Sequence, residues 1–237
     1  MMTSKKNIHF SYDEHARKCA PDDFSGQTRR TVQGVPVPAE QIQMIVDAIK
    51  LGLDFDEDDA LVELACGNGS LSQFLFLSCK KYQGVDVSEY LISIAKKNFE
   101  LLPNYRFQEC GAIEYLQNEK EPQKFTKLLC YAGIQYFKDD ELVSMLSLVT
   151  EKFINIKTIF IGSIPDKSRA EQFYKDHTPT SEELSDSNTA LGVWRNQQEF
   201  ESLANMAGWT AKFSNMPTSF YASYYRYDVV LSRVNLR

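Results

Sequence analysis

The stretch VELACGNGSLSQFL, residues 62–75, joins an apolar run to a turn containing two glycines and then to a helix-like segment. Glu63 closes the apolar run, and Gly67 and Gly69 let the backbone bend sharply and approach a ligand closely. The start of a helix beyond such a turn offers N–H groups without intrahelical partners. A ligand-binding turn is therefore expected here. A dinucleotide would need G-x-G-x-x-G so that its pyrophosphate rests on the helix N-terminus. The chain instead has Ala65-x-Gly67-x-Gly69, with Leu71 and Ser72 where a third glycine would help, which argues against a nicotinamide oxidoreductase. A ligand with an ammonium group and no phosphate fits better, with Glu63 and the backbone around Asn68 beside it.

Working outward, YQGVDVSEYLISIAKKN (82–98) places Asp86 at the end of the next apolar segment, followed by Val87 and by Ser88 as a helix cap. A carboxylate there can accept hydrogen bonds from both hydroxyls of a ribose. The alternation continues: strands are expected at 60–65, 82–87, 105–109, 127–132 and 158–164, with helices near 69–79, 89–101, 112–118 and 139–153. Strands separated by helix-length segments imply parallel pairing. Before them, Pro38 opens a helix of about 15 residues in which Ile42, Ile45, Val46, Ile49 and Leu53 recur at helical spacing. After them, a helix over 196–207 ends at Gly208 as a C-cap. WTAKFSNM and YRYDVVLSR then read as strands joined by roughly eight residues, an antiparallel closing pair. The expected fold is a doubly wound, seven-stranded, mostly parallel α/β sheet with an antiparallel last strand. Residues 1–37 form an N-terminal arm and residues 38–237 one domain, within which the polar, strandless stretch 166–192 forms a lid.

These motifs resemble those of class I S-adenosylmethionine (SAM)-dependent methyltransferases. VELACGNGSLS and GVDVS match the first two motifs, CGAIEYL (110–116) and LLCYAGIQYF (128–137) the third and fourth, and the likeness covers most of residues 58–232. Two positions depart from the family: Ala65 stands for its first glycine, and Gly111 for its adenine-binding acid. The resemblance implies SAM as cofactor, S-adenosylhomocysteine as product, and a cofactor site built from Glu63, Ala65, Gly67, Asn68, Gly69, Asp86, Val87 and Ala132, with backbone groups of Ala112 and Ile113 at the adenine. The flanks DDFSGQTRRTV, IPD, LGVW and YRYDVVL are similar to a bacterial subgroup that methylates small molecules, including sugars and secondary metabolites. Tyr12 and Arg30 of the arm would meet the methionine carboxylate, the arginine by a bidentate contact.

Ligands of open α/β sheets bind beyond the carboxyl ends of the strands. That edge gathers Gln135, Tyr136, Asp166, Tyr224 and Arg226 as acceptor-binding candidates. His177, Asp166 and Tyr136 are the candidate catalytic groups, a histidine being suited to proton transfer near neutral pH. SFYASYYRY (219–227), dense in aromatics, would line a pocket or face a sulfonium.

The bulk numbers agree. Hydrophobic residues are 43% and charged residues 24%, the balance of a globular protein with a packed core. A net charge of −6 without a long Lys/Arg run disfavours a nucleic-acid partner and leaves a small-molecule substrate. No uncharged window is long enough for a membrane span, and the N-terminal residues lack the apolar run of a secretory signal. Cys19, Cys66, Cys79, Cys110 and Cys130 lack metal-ligand spacing, so no metal is expected and a reducing cytoplasm is the expected compartment. The alternative to an enzyme is a catalytically silent SAM-binding accessory protein. Oligomeric state is left open.

Overall fold

The computed structural model describes residues 11–234; the first ten residues of the expected arm lie outside them. Seven strands, β1 (Ala60–Leu64), β2 (Lys81–Asp86), β3 (Tyr105–Glu109), β4 (Lys127–Tyr131), β5 (Thr158–Pro165), β6 (Trp209–Ser214) and β7 (Arg226–Arg233), form one sheet. Their spatial order is β3-β2-β1-β4-β5-β7-β6. The first five pair in parallel, and β7 is antiparallel to both β5 and β6. Successive strands are therefore added on one side of β1 as far as β3 and on its other side from β4 onward, leaving a crevice at the carboxyl ends of β1 and β4.

Alternation along the strands explains the layering. Val62, Leu64, Leu128, Cys130, Ile159 and Ile161 face one core, while Leu61, Leu129, Tyr131 and Phe160 face the other. Side chains of successive strand residues point to opposite faces, so a strand apolar at every position needs cover on both. The helix α1 (Ala39–Leu53) covers one face with Ile45, Val46, Ile49 and Leu53, together with Ile92 and Ala95 of α2 (Glu89–Phe99). The other face is covered by α3 (Ala112–Asn118), α4 (Asp139–Lys152) and α5 (Gln197–Met206), through Leu116, Leu142, Met145, Leu146, Val149 and Phe200. Trp209 of β6 is completely buried, its indole N–H donating to the Leu146 carbonyl at 3.3 Å.

Two expectations are corrected. The helix near 69–79 is a 3-10 helix over Ser72–Ser78. Its short span buries Leu75 and Phe76, with the Phe76 ring stacked on Tyr105 at 4.5 Å, while Leu77 is left fully exposed. The link between β6 and β7 is longer than eight residues, spanning 215–225. It detours over the carboxyl edge of the sheet, where the Gln41 side chain donates to the Ser219 carbonyl at 3.2 Å and accepts from the Tyr221 N–H at 2.8 Å. The stretch 166–192 contains no strand and folds as short helical turns at 167–169, Ala170–Phe173 and Ser181–Ser185.

The arm packs against the domain. Helical turns Tyr12–Ala16 and Phe24–Gln27 and a small hairpin, Thr31–Val32 with Val35–Pro36, run across the carboxyl edge of the sheet. Asp13 accepts from Ser88 Oγ at 2.7 Å and from the Tyr90 N–H at 3.0 Å, so an arm carboxylate sits at the positive N-terminus of α2.

Candidate functional site

A cavity of about 950 Å³ opens at the carboxyl edge, between the strands, the arm and the 166–192 stretch. Its floor is the turn after β1. Gly67 and Gly69 have φ of +59° and +74°, and a Cβ at Gly69 would stand 2.8 Å from the Phe107 ring, so this bend tolerates no side chain at Gly69. Ala65 also takes a positive φ, 57°, as does Ala132 at the end of β4 with 56°. Both line the cavity, and a non-glycine residue in the left-handed region costs about 1 kcal/mol or more, which the surrounding packing offsets.

Asp86 lies at the end of β2 beside this turn. Its two oxygens accept from the Gly67 N–H and the Ser88 N–H, each at 2.9 Å, which fixes the carboxylate at the cavity wall. Burial pushes its pKa up, opposed by these backbone donors, and the neighbouring Asp13 charge adds to the rise. Donor groups of a ligand would relieve that desolvation. Ala65, Gly67, Asp86, Val87, Ala112, Ile113 and Ala132 all line the cavity, and so do Tyr12 and Arg30 of the arm. Arg30 reaches Ser70 Oγ at 3.3 Å and Thr28 Oγ at 3.2 Å. The adenosine-class ligand of the sequence reading fits the geometry: a fixed carboxylate, a close glycine bend and a guanidinium share one chamber.

Other expected residues stand elsewhere. Glu63 is buried beneath the turn, held by the hydroxyls of Ser72 and Tyr82 at 2.6 Å each, and does not line the cavity. Burial raises its pKa while those two donors oppose the rise. Asn68 points away from the ligand space and into the arm, its Nδ2 donating to the Phe24 carbonyl at 2.9 Å and to Gln27 Oε1 at 2.8 Å. Gly69 packs against Phe107 and Ala95 rather than on the cavity.

On the acceptor side, Gln135, Tyr136 and Arg226 line the cavity. Asp166 does not. Its Oδ1 accepts from the Ser168 N–H at 3.0 Å and the Ser168 hydroxyl at 2.6 Å, and Oδ2 pairs with Arg169 at 3.3 Å, so it caps a helical turn. Tyr224 is 43% exposed and outside the cavity, its ring against Tyr225. His177 also lies outside, half-exposed and 3.4 Å from Glu183. Capping accounts for Asp166, whose two oxygens are taken up by Ser168 and Arg169, while Tyr224 and His177 lie on the solvent side of the link 215–225 and of the 166–192 stretch.

Several lining residues carry no motif that marks them in the sequence, among them Asp13, Cys110, Tyr131, Ser163 and Phe173. Ser163 sits in a bulge between β5 and β7 with φ of 62°, and its N–H donates to the buried Asp228 carboxylate at 2.7 Å. Burial raises the pKa of Asp228 to about 6, the Ser163 N–H and the Arg226 charge both opposing. The density of aromatics in SFYASYYRY was the available signal for Tyr221 and Tyr225. Tyr136 donates to the Ala190 carbonyl at 2.8 Å, and its hydroxyl lies 3.1 Å from that of Tyr12.

Residues 61–151 match a protein-family model described as a methyltransferase domain. An uncharacterised methyltransferase of Schizosaccharomyces pombe is 28% identical over 95 residues, 37% of this chain and 34% of the relative. A probable cobalt-precorrin-6B C(15)-methyltransferase of Methanocaldococcus jannaschii is 28% identical over 83 residues, 35% of this chain and 42% of the relative. The matches thus span well under half the length of these curated relatives. Among solved structures, a DhpI complex with S-adenosylhomocysteine is similar with TM-score 0.63 at 12% identity, over 94% of this chain and 93% of the other. The magnesium protoporphyrin IX methyltransferase of Synechocystis PCC 6803, bound to the same nucleoside, gives 0.58 at 14% identity over 82% of each chain. The small RNA methyltransferase HEN1 gives 0.61 at 17% identity, over 84% of this chain and 26% of that one. At these identities the likeness is one of fold.

Proposed function

For a chain that carries a methyltransferase domain of the class I, SAM-dependent kind, we propose the transfer of a methyl group to an oxygen or nitrogen atom of a small molecule. SAM supplies an electrophilic sulfonium methyl, so the protein contributes alignment and exclusion of water. In this reading Asp86 holds the ribose hydroxyls, and Arg30 and Tyr12 hold the methionine end. The turn Ala65–Gly67 and the segment Ala132–Gly133 pass beneath the sulfonium, and backbone groups of Ala112 and Ile113 address the adenine. Residues 1–37 act as an arm over the cofactor and residues 166–192 as a lid, with 38–237 as the domain that binds and transfers. Gln135, Tyr136 and Arg226 face the acceptor.

One observation carries the reading: the Asp86 carboxylate, anchored by the Gly67 and Ser88 N–H groups at 2.9 Å, stands at the carboxyl end of β2 on the wall of the cavity beside the glycine turn. The net charge of −6 supports a small acceptor over a nucleic acid. Calorimetric titration with S-adenosylhomocysteine and with NAD tests it. Micromolar or tighter binding of the first and none of the second is expected; NAD binding alone would reverse the assignment. Turnover of radiolabelled SAM with small acids, alcohols, amines and sugars, against total RNA, separates a small-molecule enzyme from an RNA-modifying one. Silence across the whole panel would leave a SAM-binding accessory protein.

A further inference from the structure

We propose that the acceptor is a small carboxylic acid with an apolar or aromatic body, methylated on a carboxylate oxygen; this rests on the methyl-transfer reading above. The observation that carries it is Arg226, which enters the cavity from the β5–β7 side. Its guanidinium donates to the Ser163 carbonyl and lies over the Tyr225 ring at 4.8 Å. Among the described residues no carboxylate lies within ion-pair distance of it. Asp228, two residues along the same strand, is engaged instead by the Ser163 N–H. The Asp228 charge is felt by Arg226 but forms no pair with it, and a planar anion with two oxygens in this partly desolvated chamber matches the open side of the guanidinium fork. The cofactor brings one carboxylate, which Arg30 receives on the arm side. Arg226 then remains for a second anion.

The rest of that side gives the acceptor its shape. Tyr131, Tyr221, Tyr225 and Phe173 line the same cavity as Arg226, the Tyr225 ring against its guanidinium and the Phe173 ring packed on Tyr225, and such rings suit an apolar or aromatic body. They also bear on the chemistry. Methylating an alcohol calls for a base to take its proton. The phenols of Tyr131, Tyr136 and Tyr221 are pushed up by burial and stay protonated. The cavity's carboxylates have other duties: Asp13 caps α2, Asp86 binds the Gly67 and Ser88 N–H groups, Glu141 accepts from the Lys138 N–H at 2.8 Å, and Glu114 is engaged by the Cys110 thiol. Asp166 and His177 lie outside. A carboxylate needs no base. One of its oxygens uses a lone pair to form the new C–O bond to the methyl carbon, and the C–S bond breaks with its electron pair staying on sulfur. The two opposite charges cancel, and no proton is released. The ester so formed is neutral and loses its hold on Arg226, which favours its departure.

The test uses the full-length protein saturated with S-adenosylhomocysteine, titrated by calorimetry with benzoate, phenylacetate and 3-phenylpropionate, each against its amide. At least one acid should bind, with its amide at least tenfold weaker. Arg226→Gln should erase that preference and Arg226→Lys retain part of it, with nucleoside affinity unchanged in both. With SAM, the acid that binds should yield a product that hydroxylamine converts to the hydroxamate. Nucleoside binding with equal affinity for acid and amide, no binding of any acid, or a methylated product stable to hydroxylamine overturns this proposal alone. Failure of the wild-type protein to bind the nucleoside overturns the methyltransferase reading itself.

Discussion

Asp86 and Asp228 are both carboxylates whose pKa burial raises, yet they serve different ends. Asp86 reaches the cavity with its backbone bonds already made, so its remaining lone pairs are free for ligand hydroxyls. Asp86→Ala should weaken S-adenosylhomocysteine binding by about 1–3 kcal/mol, the scale of lost charge-assisted hydrogen bonds, as read by calorimetry. Unchanged affinity would remove it from the ribose. Asp228 is 3% exposed and holds a bulge. Its folded pKa, about 6, exceeds the ordinary 3.8, so the fold favours the protonated acid. The resulting stability is fully present below about pH 4 and is lost as the pH rises through 6. Asp228→Asn keeps an oxygen for the Ser163 N–H. It should flatten the urea-derived unfolding free energy between pH 4 and 6, removing a decline of roughly 2–3 kcal/mol. An equally steep profile in the variant would place the titration elsewhere.

Among elements, the arm is the one whose placement depends most on a single side chain. Asn68 is completely buried and ties the glycine turn to the segment Phe24–Gln27 through two hydrogen bonds. Asn68→Ala leaves the Phe24 carbonyl and the Gln27 amide oxygen without that donor, at about 2–3 kcal/mol. Amide exchange over residues 11–37 should accelerate at least tenfold while β1 and β4 keep their protection. Uniform acceleration would mean the arm is not a separate opening unit. These elements also show how far residue patterns reach. The β1–β5 strands were legible because apolar runs such as LLCY and IFI need cover on both faces, and helix-length gaps leave only parallel pairing. Asp86, Gly67 and Arg226 were legible because strand ends and glycine bends fix where backbone stops and ligand space begins. The partners of Glu63 and Asn68 were not: each has the chemistry of a ligand residue, and only the folded chain brings Tyr82 or Phe24 close enough to claim it, whereas Asp166 is claimed locally, by Ser168 and Arg169, as a helix cap. The 3-10 winding of Ser72–Ser78 was hidden for a related reason, since the Phe76 stack on Tyr105 joins residues far apart in sequence.

On the scale of the whole molecule, two apolar cores share one sheet, so its central strands β1, β4 and β5 are braced from both sides. A single cooperative unfolding transition is expected, and a ligand that bridges arm and sheet should stabilise all of it. S-adenosylhomocysteine at 100 times its dissociation constant adds about 2.7 kcal/mol, raising the melting temperature by roughly 5–10 °C for a chain of this size. Scanning calorimetry that showed two transitions, with only one of them moved by the nucleoside, would contradict this. The hydroxyl of Tyr136 adds a kinetic consequence. That one oxygen meets Tyr12 of the arm and the Ala190 carbonyl beyond β5. In the proposed arm-and-lid reading, neither cover would swing away without loosening its counterpart, and uptake of donor and discharge of spent nucleoside would be timed by a common latch. Tyr136→Phe should hasten nucleoside dissociation in stopped-flow several-fold more than it weakens equilibrium binding, because the gate would then open and shut more freely in both directions.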